Sequence, residues 1–350
     1  MAEFYIQEKP IGENHPCFFI AEISANHLQD LNRALKLIDE AKNAGADAVK
    51  FQTYRPDTIT FPSSMGDYRL PKENPYGAEN LFELYKTAYL PWEWHRPLAE
   101  KAKSKNIIFF STPFDETAVD LLEELNVPAY KIASFEIVDI PLIRKAGLTG
   151  KPVIVSTGMA NWGEIEECVQ TLKKTKNSNY SLLRCVSAYP AKPEEFHLRD
   201  IPLYSELFNA VPGLSDHQLG NEMALGAVAL GAKIIEKHFT LSRDDGGPDA
   251  SFSLEPKEFS QMVHSVRILE KALKKKSCKE NIDENKNLKY RPSIIIVKDI
   301  SKGEVITAAH ISTLRPNVGL SPKELPFVIG KKVKNDLKQG MGLKKEDIDW

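Results

Sequence analysis

The side chains best suited to chemistry in this sequence come directly after short apolar runs. They include two carboxylates, two lysines and two histidines, and the full set is Glu22, Lys50, Gln52, Thr112, Lys131, Ser156, Tyr189, His217, Glu236 and His238. Lysine ammonium groups bind phosphate and carboxylate groups, and neutral imidazoles bind divalent transition metals. Carboxylates can carry protons during a reaction. If the fold brings these side chains together, they form a site for a phosphorylated substrate and a metal ion.

Eight apolar runs that precede these side chains have the length of buried β-strands. They cover residues 18–22, 48–52, 107–112, 129–131, 153–156, 181–185, 210–215 and 233–237. A helix-like segment follows most of them, as in a (β/α)8 barrel of parallel strands. The active site of such a barrel lies at the carboxyl ends of its strands. The sequence therefore predicts an α/β fold, a TIM barrel whose mouth collects the chemically useful side chains.

The predicted helices carry their own boundary signals. Asp30 can cap the first helix, 30–44, by accepting hydrogen bonds from the free N–H groups of its first turn, and Gly45 ends it. Further helices are predicted at 92–103, 116–125, 162–173, 221–230 and 256–273. Residues 53–90 interrupt the alternation with a long segment rich in Pro, Gly and Tyr. Long loops on a catalytic face often have a functional role.

Composition excludes several classes of protein. The 350 residues are 42% hydrophobic and 27% charged, as is usual for a globular protein. The net charge of −2 predicts binding neither to nucleic acid nor to an anionic membrane surface, and no apolar stretch reaches the roughly 18 residues of a membrane span. The four cysteines lack paired short spacing, which favours reduced thiols. The polar N-terminal segment has no apolar signal core, so we expect a cytoplasmic protein.

A change of composition near residue 275 divides the chain. Residues 1–274 are assigned to the barrel, and residues 275–290, which are charged and without an apolar pattern, are predicted to form a solvated linker. Residues 291–350 are lysine-rich, with a strand-like run at 293–297 and turns at Gly303 and Gly340. This segment is too short for a large core. We therefore expect a small appended domain that packs on a partner.

Seven motifs in the barrel segment resemble those of the sialic-acid (nonulosonate) synthases, which join phosphoenolpyruvate to an N-acetylated sugar aldehyde. The motifs are AEISANH (21–27), GADAVKFQT (45–53), STPF (111–114), YKIAS (130–134), STGM (156–159), GLSDH (213–217) and EKHF (236–239). Residues 291–350 are similar to the antifreeze-like, or SAF, domain of these enzymes. In the family this domain swaps over the barrel mouth of the partner subunit, so the resemblance implies a domain-swapped homodimer.

Within the family, the sequence is most similar to the pseudaminic branch. Ser24 stands where the N-acetylneuraminate enzymes usually have glycine, and the stretches 84–88, 93–95, 245–254 and 315–320 also resemble that branch. The implied sugar is 2,4-diacetamido-2,4,6-trideoxy-altrose, and the implied products are pseudaminic acid and phosphate. An N-acetylneuraminate synthase and a legionaminic acid synthase are the alternatives within the family.

The resemblance also implies residue roles for phosphoenolpyruvate. Lys50 and Lys131 would hold its phosphate and carboxylate groups, with further hydrogen bonds from four hydroxyl groups: Thr112, Ser134, Ser156 and Ser215. Glu22 and Glu236 would do general acid–base work or orient the attacking water. Each lysine could instead be a solvated charge, a salt-bridge partner of Glu22 or Glu236, or a Schiff-base lysine.

The remaining implied roles concern the sugar and the metal. Gln52, Tyr189 and Asp249 match positions that contact the sugar, and Arg315 matches the arginine of the capping domain that reaches the sugar in the partner subunit. His217 and His238 would bind a divalent metal, with Mn²⁺ preferred and Mg²⁺ or Co²⁺ possible alternatives. The two histidines could instead be hydrogen-bonded polar residues at the strand ends.

Three different functions remain open from the sequence. A non-catalytic carbohydrate- or ice-binding protein would use the antifreeze-like domain, but such relatives stand alone. A metal-dependent hydrolase on the same fold commonly begins with a His-x-His pair after the first strand, where this chain has Glu22 and Ser24. A phosphoenolpyruvate aldol synthase of the aromatic pathway shares the chemistry but lacks the capping domain.

Overall fold

The computed structural model describes residues 2–63, 65–71, 78–273 and 282–350. The chain divides into two compact units, Met1–Lys274 and Lys275–Trp350. Of the predicted linker, residues 275–281 lie outside the described residues. The rest forms a short helix, Ile282–Asn285, and a 3-10 helix, Lys286–Tyr290.

The first unit is a closed barrel of parallel strands. An antiparallel hairpin of β1 (Phe4–Ile6) and β2 (Lys9–Ile11) comes first. The barrel strands are β3 (Phe18–Glu22), β4 (Ala48–Thr53), β5 (Ile108–Pro113), β6 (Tyr130–Ile132), β7 (Val153–Ser156), β8 (Tyr180–Cys185), β9 (Val211–Asp216) and β10 (Ile234–His238). They pair in sequence order, and β10 closes the barrel on β3. The predicted (β/α)8 fold is confirmed.

Helices connect the strands and cover the barrel. They are α1 (Leu31–Asn43), α2 (Pro56–Ile59), α3 (Leu81–Ala88), α4 (His95–Ser104), α5 (Glu116–Glu124), α6 (Ile140–Leu148), α7 (Trp162–Lys174), α8 (Ile201–Phe208), α9 (Glu222–Ala229) and α10 (Pro256–Leu273). The carboxylate of Asp30 caps α1 by accepting hydrogen bonds from the N–H groups of Asn32 and Arg33, at 2.8 and 3.3 Å. The chain then turns at Gly45, whose φ of +92° favours glycine. The sequence signals at both ends of this helix are therefore confirmed.

Two of the barrel helices, α6 and α8, have no counterpart among the predicted helices. Each has proline in its first turn, where the missing N–H costs no hydrogen bond. Both are short, and α8 is mostly apolar, so the usual alternation of apolar and polar faces is weak there. Two further helices that were not predicted, α2 and α3, lie inside the long segment 53–90.

The second unit has its own small core. Its elements are α11 (Ile282–Asn285), β11 (Ser293–Ile296), β12 (Ile311–Leu314), α12 (Leu325–Val328), β13 (Lys332–Val333) and β14 (Ile348–Asp349). Ten buried aliphatic residues pack together: Ile294, Ile296, Ile300, Ile306, Ile311, Val328, Val333, Leu337, Leu343 and Ile348. Gly319 is required by packing, because a Cβ there would lie 2.4 Å from the carbonyl oxygen of Ile294. Within the described residues, no helix has both the length and the apolar character to cross a membrane.

Candidate active site

The barrel register places most of the predicted site residues around one mouth. Glu22, at the end of β3, pairs in register with Lys50 of β4 and with His238 of β10. Strands β4, β5, β6, β7, β9 and β10 each carry one further member of the set: Gln52, Thr112, Lys131, Ser156, Ser215 and Glu236. Four residues lie in the segments that follow the strands, namely Ser134, Tyr189, His217 and Asp249. Arg315 is exposed and belongs to the second unit.

Lys50 is a buried ammonium group held by two carboxylates. Its Nζ lies 2.9 Å from Glu22 Oε2 and 3.5 Å from Glu236 Oε1, and it donates a hydrogen bond to Thr112 Oγ1 at 3.0 Å. Burial alone would lower the pKa of Lys50, but Glu22 and Glu236 raise it above its ordinary value. Lys50 therefore remains a cation inside the barrel.

Lys131 forms the second cationic centre. Its Nζ donates to Ser156 Oγ at 2.6 Å and lies 3.6 Å from Glu236 Oε1. Burial, together with the charge of Lys50, lowers the pKa of Lys131. Glu236 Oε1 thus sits between the two lysines and also accepts a hydrogen bond from Ser215 at 3.2 Å. The salt bridges considered from the sequence do form, so an incoming anion must compete with Glu236 for both ammonium groups.

The two carboxylates of the mouth differ in proton affinity. Burial raises the pKa of Glu22 to about 7, and the attraction of Lys50 only partly offsets this effect. Burial acts on Glu236 in the same direction, but Lys131, Lys50 and His217 outweigh it and lower the pKa of that carboxyl group. Two carboxyl groups with pKa values pushed apart are a common arrangement for acid–base chemistry. Glu22 is the one able to hold a proton near neutral pH.

His217 and His238 form an imidazole pair beside these charges. Their ring centroids are 5.2 Å apart. His217 Nδ1 lies 2.8 Å from the carbonyl oxygen of Val186, which can only accept a hydrogen bond, so Nδ1 carries a proton, and the same imidazole interacts with the Cys185 thiol. Buried His238 Nδ1 has no hydrogen-bond partner among the described residues. Burial and the nearby cations hold the pKa of His238 well below its usual range, so this imidazole is neutral.

This donor set is compatible with a divalent metal ion. A neutral imidazole with an unused ring nitrogen is a normal ligand for Mn²⁺-like metals. Within the part of the chain that the structure describes, no cluster of three or more His, Cys, Asp or Glu side chains could hold a metal. Two protein ligands would leave several positions for substrate and water.

The proposed sugar contacts lie on the side of the mouth formed by β3 and β4. Gln52 Nε2 donates hydrogen bonds to Glu22 Oε1 and to Ser24 Oγ, both at 2.9 Å. The carboxylate of Asp249 accepts from Ser24 Oγ at 2.5 Å and from the backbone N–H of Ala25 at 3.2 Å. The residue Asp249 is partly exposed, but burial of its carboxyl group raises its pKa.

Tyr189 borders the histidine pair. Its ring centroid is 4.4 Å from that of His217 and 5.2 Å from that of Phe252, and 39% of its surface is exposed. The partly exposed ring can pack against an apolar face of a substrate. The packing interpretation of Tyr189 and its substrate role are therefore compatible.

Sequence reasoning missed two residues of this site. Ser24, which had been used only to distinguish branches of the family, connects Gln52 with Asp249. Cys185 was interpreted as an ordinary reduced thiol, yet it interacts with His217. Burial alone would raise the thiol pKa. His217, Ser134 and Lys131 outweigh burial and lower the pKa from 9.0 to about 7. Its position at the last residue of a barrel strand was the signal that could have identified it.

The comparisons with known proteins agree with this geometry. The sequence profile of the NeuB family matches residues 37–278, and that of the SAF domain matches residues 291–349. The pseudaminic acid synthase of Helicobacter pylori is 41% identical over 95% of this chain and 98% of its own length. The N,N'-diacetyllegionaminic acid synthase of Campylobacter jejuni is 40% identical over 89% of this chain and 94% of its own length.

A solved structure supports the same assignment. The N-acetylneuraminic acid (sialic acid) synthetase of Leptospira borgpetersenii superimposes with a TM-score of 0.73 at 38% identity, over 82% of this chain and 95% of the other. The family resemblance found in the sequence motifs is thus confirmed. The chain belongs to the NeuB family and carries an SAF domain at its C-terminal end.

Proposed function

We propose that this protein is a pseudaminic acid synthase, which condenses phosphoenolpyruvate with 2,4-diacetamido-2,4,6-trideoxy-altrose. The observation that carries the proposal is the pair of buried lysines at the barrel mouth, each hydrogen-bonded to a strand-end hydroxyl. Ammonium groups backed by hydroxyls suit a ligand with both a phosphate and a carboxylate. The 41% identity to a pseudaminic acid synthase supports the choice of sugar.

The proposed reaction forms one C–C bond and breaks one C–O bond. C3 of phosphoenolpyruvate attacks the aldehyde carbon of the sugar, which leaves a cation at C2. Water adds at C2, and the tetrahedral intermediate expels inorganic phosphate by C–O cleavage. Lys50 and Lys131 stabilise the phosphate and carboxylate charges throughout. Thr112, Ser134, Ser156 and Ser215 orient the same oxygens.

Glu22 and Glu236 provide the proton transfer and the orientation of the attacking water. With a pKa raised to about 7, Glu22 can both give and take a proton near neutral pH. Glu236 stays ionised between the two lysines. Both carboxylates are close enough to Lys50 to share the phosphoenolpyruvate subsite, where one of them orients the attacking water.

We further propose that His217 and His238 hold a divalent metal, with Mn²⁺ first, and Mg²⁺ or Co²⁺ as substitutes. When bound, such an ion supplies Lewis-acid polarisation of the sugar aldehyde, an effect of several kcal/mol. Gln52, Asp249 and Tyr189 hold the sugar beside it. Val186 supports the site by fixing the proton of His217 on Nδ1.

The proposal includes a homodimer in which the SAF domain of one subunit covers the barrel mouth of the other. Arg315 is exposed, as a residue that reaches a partner's site must be. A closed cap would exclude water from the aldehyde and from the reactive intermediate. We also propose a cytoplasmic location, because phosphoenolpyruvate is a metabolite of that compartment.

The decisive experiment measures phosphate release from phosphoenolpyruvate with Mn²⁺ and one of three sugars. The sugars are 2,4-diacetamido-2,4,6-trideoxy-altrose, its legionaminic-type mannose analogue and N-acetylmannosamine. A strong preference for the altrose sugar, with a product mass that shows one added pyruvate unit, supports a pseudaminic acid synthase. A preference for either other sugar moves the enzyme to another branch of the family. No release with any sugar would favour a non-catalytic carbohydrate-binding protein.

A further inference from the structure

Ser24 has a backbone conformation that serine rarely adopts. The residue lies two positions after the last residue of β3, is 5% exposed, and has a φ of +47°. In this left-handed region the Cβ of an L-residue crowds the following carbonyl, whereas glycine meets no such obstacle. The fold therefore tolerates strain at this position. Glycine would suit the backbone here but would lack the hydroxyl group of Ser24.

The hydroxyl of Ser24 joins side chains that are otherwise separate. It donates to Asp249 Oδ2 at 2.5 Å and accepts from Gln52 Nε2 at 2.9 Å. The same Gln52 nitrogen donates to Glu22 Oε1 at 2.9 Å, and Glu22 Oε2 lies 2.9 Å from Lys50 Nζ. A continuous chain of contacts thus runs from the proposed sugar contact Asp249 to the proposed phosphoenolpyruvate contact Lys50.

A hydroxyl group is the right chemical link in this chain. Ser24 faces an acceptor, the carboxylate of Asp249, and a donor, the amide of Gln52, and a hydroxyl can donate and accept at once. Without it, the carboxylate of Asp249 keeps the hydrogen bond from the backbone N–H of Ala25, at 3.2 Å. The amide of Gln52 would then be fixed by Glu22 alone.

We propose that Ser24 is a positioning residue that fixes Asp249 and Gln52 for the sugar substrate and ties them to Glu22. The inference rests on the proposed function, because it assigns the sugar to this side of the mouth. Ser24 need not touch the sugar itself. It acts through the two side chains that its hydroxyl holds in place.

The test compares Ser24→Gly with Ser24→Ala in the full-length protein. Both variants lose the hydroxyl, but only glycine relieves the backbone strain, so Ser24→Gly should have the higher Tm of the two. If positioning is the role, the two variants share one kinetic defect. We expect KM for the altrose sugar to rise about ten- to a hundredfold in both, the range for a lost hydrogen bond to a charged group. KM for phosphoenolpyruvate should stay close to that of the wild type.

Lys176 provides a matched control for the backbone effect. It also has a left-handed φ, of +62°, and its side chain is exposed just after α7, far from the strand ends of the mouth. Lys176→Gly and Lys176→Ala should reproduce the difference in Tm and leave all kinetic constants unchanged. If backbone strain alone changed the kinetic constants, the two Lys176 variants would show that change as well.

The possible outcomes separate the two proposals. A wild-type KM for the sugar in Ser24→Gly overturns the inference, as does a defect confined to the less stable Ser24→Ala, and either result leaves the proposed function intact. If the wild-type protein releases no phosphate with any of the three sugars, the proposed function fails and the role of Ser24 fails with it.

Discussion

The imidazole rings of His217 and His238 lie 5.2 Å apart and are inclined by 68° to each other. His238 is the last residue of β10, and His217 directly follows the last residue of the neighbouring strand β9, so the pairing of these two strands brings the rings together. Such a pair can bind one metal ion from two sides at little cost in conformational entropy. Buried His238 Nδ1 has no hydrogen-bond partner among the described residues and so is available to a ligand.

The first prediction concerns the metal. Treatment with EDTA should abolish phosphate release, and Mn²⁺ should restore it, because the aldehyde loses its polarising ion. His238→Ala should lower both the bound Mn²⁺, measured by elemental analysis, and turnover by orders of magnitude, while circular dichroism shows an intact fold. His264→Ala, an exposed histidine of α10, is the matched control and should change neither. Full turnover of a verified metal-free protein would contradict the histidine assignment.

The second prediction separates two buried lysines of the barrel, Lys131 of β6 and Lys237 of β10. Lys131→Gln removes an ammonium group from the phosphoenolpyruvate subsite, so KM for phosphoenolpyruvate should rise about a hundredfold or more. Steady-state phosphate release at varied phosphoenolpyruvate measures the change. A small change in KM would show that Lys131 is a structural partner of Glu236 and no ligand of the substrate.

Lys237 is the control for burial. Alternation along β10 separates it from Glu236 and His238, and its Nζ lies 2.5 Å from Asp216 Oδ2. Lys237→Met leaves that carboxylate buried without its ionic partner, which typically costs about 3–5 kcal/mol of stability. We therefore expect a lower Tm with a nearly normal KM for phosphoenolpyruvate, the opposite of the result for Lys131→Gln.

Sequence patterns were sufficient to predict the barrel strands, because burial on both faces gives each parallel strand a continuous apolar run. Each barrel strand starts within one residue of its predicted start. The runs end in polar residues because the strands open there onto the mouth. The order of the site residues around the mouth then follows from the barrel closing in sequence order.

Contacts between distant segments were beyond the reach of those patterns. Ser24 and Asp249 are 225 residues apart, and nothing local in either segment indicates that they meet. The positive φ of Ser24 could not be predicted either, because serine in a sequence does not indicate a left-handed conformation. The pairing of Cys185 with His217 likewise depends on neighbouring strands rather than on a motif.

The third prediction is a loss of stability in mild acid. His95 is fully buried, with Nδ1 3.1 Å from the carbonyl oxygen of Trp92 and Nε2 2.7 Å from Thr53 Oγ1. Burial lowers its pKa from 6.5 to about 4 in the folded protein. Between these values the unfolded state binds more protons, so stability is present above pH 6.5 and is lost as the pH falls toward 4. The loss from this group is at most about 1.4 kcal/mol per pH unit.

Thermal unfolding between pH 5 and pH 8 measures this effect. His95→Gln cannot be protonated, so its Tm should fall less steeply toward pH 5 than that of the wild type, although it is lower at pH 8. Part of the slope should remain, because burial also lowers the pKa of His27 to about 4. The exposed His264→Gln should retain the wild-type slope. Equal slopes in the wild type and His95→Gln would exclude His95 as the source.

The last prediction tests the swapped homodimer by mixing two inactive proteins. Lys131→Ala damages the barrel site, and Arg315→Ala damages the SAF domain, which forms a separate compact unit. In a swapped heterodimer, the intact barrel of one subunit receives the intact SAF domain of the other. Random mixing makes about half of the dimers heterodimers with one good site each, so roughly a quarter of the wild-type activity should return.

Phosphate release after unfolding and refolding the two variants together measures this recovery. Each variant treated alone is the control and should stay inactive, and removal of residues 283–350 should abolish sugar use without unfolding the barrel, which has its own core. If each SAF domain covers its own barrel, every intact barrel in the mixture keeps an altered cap, and no activity returns. A truncated monomer with normal kinetics would likewise refute the swapped dimer.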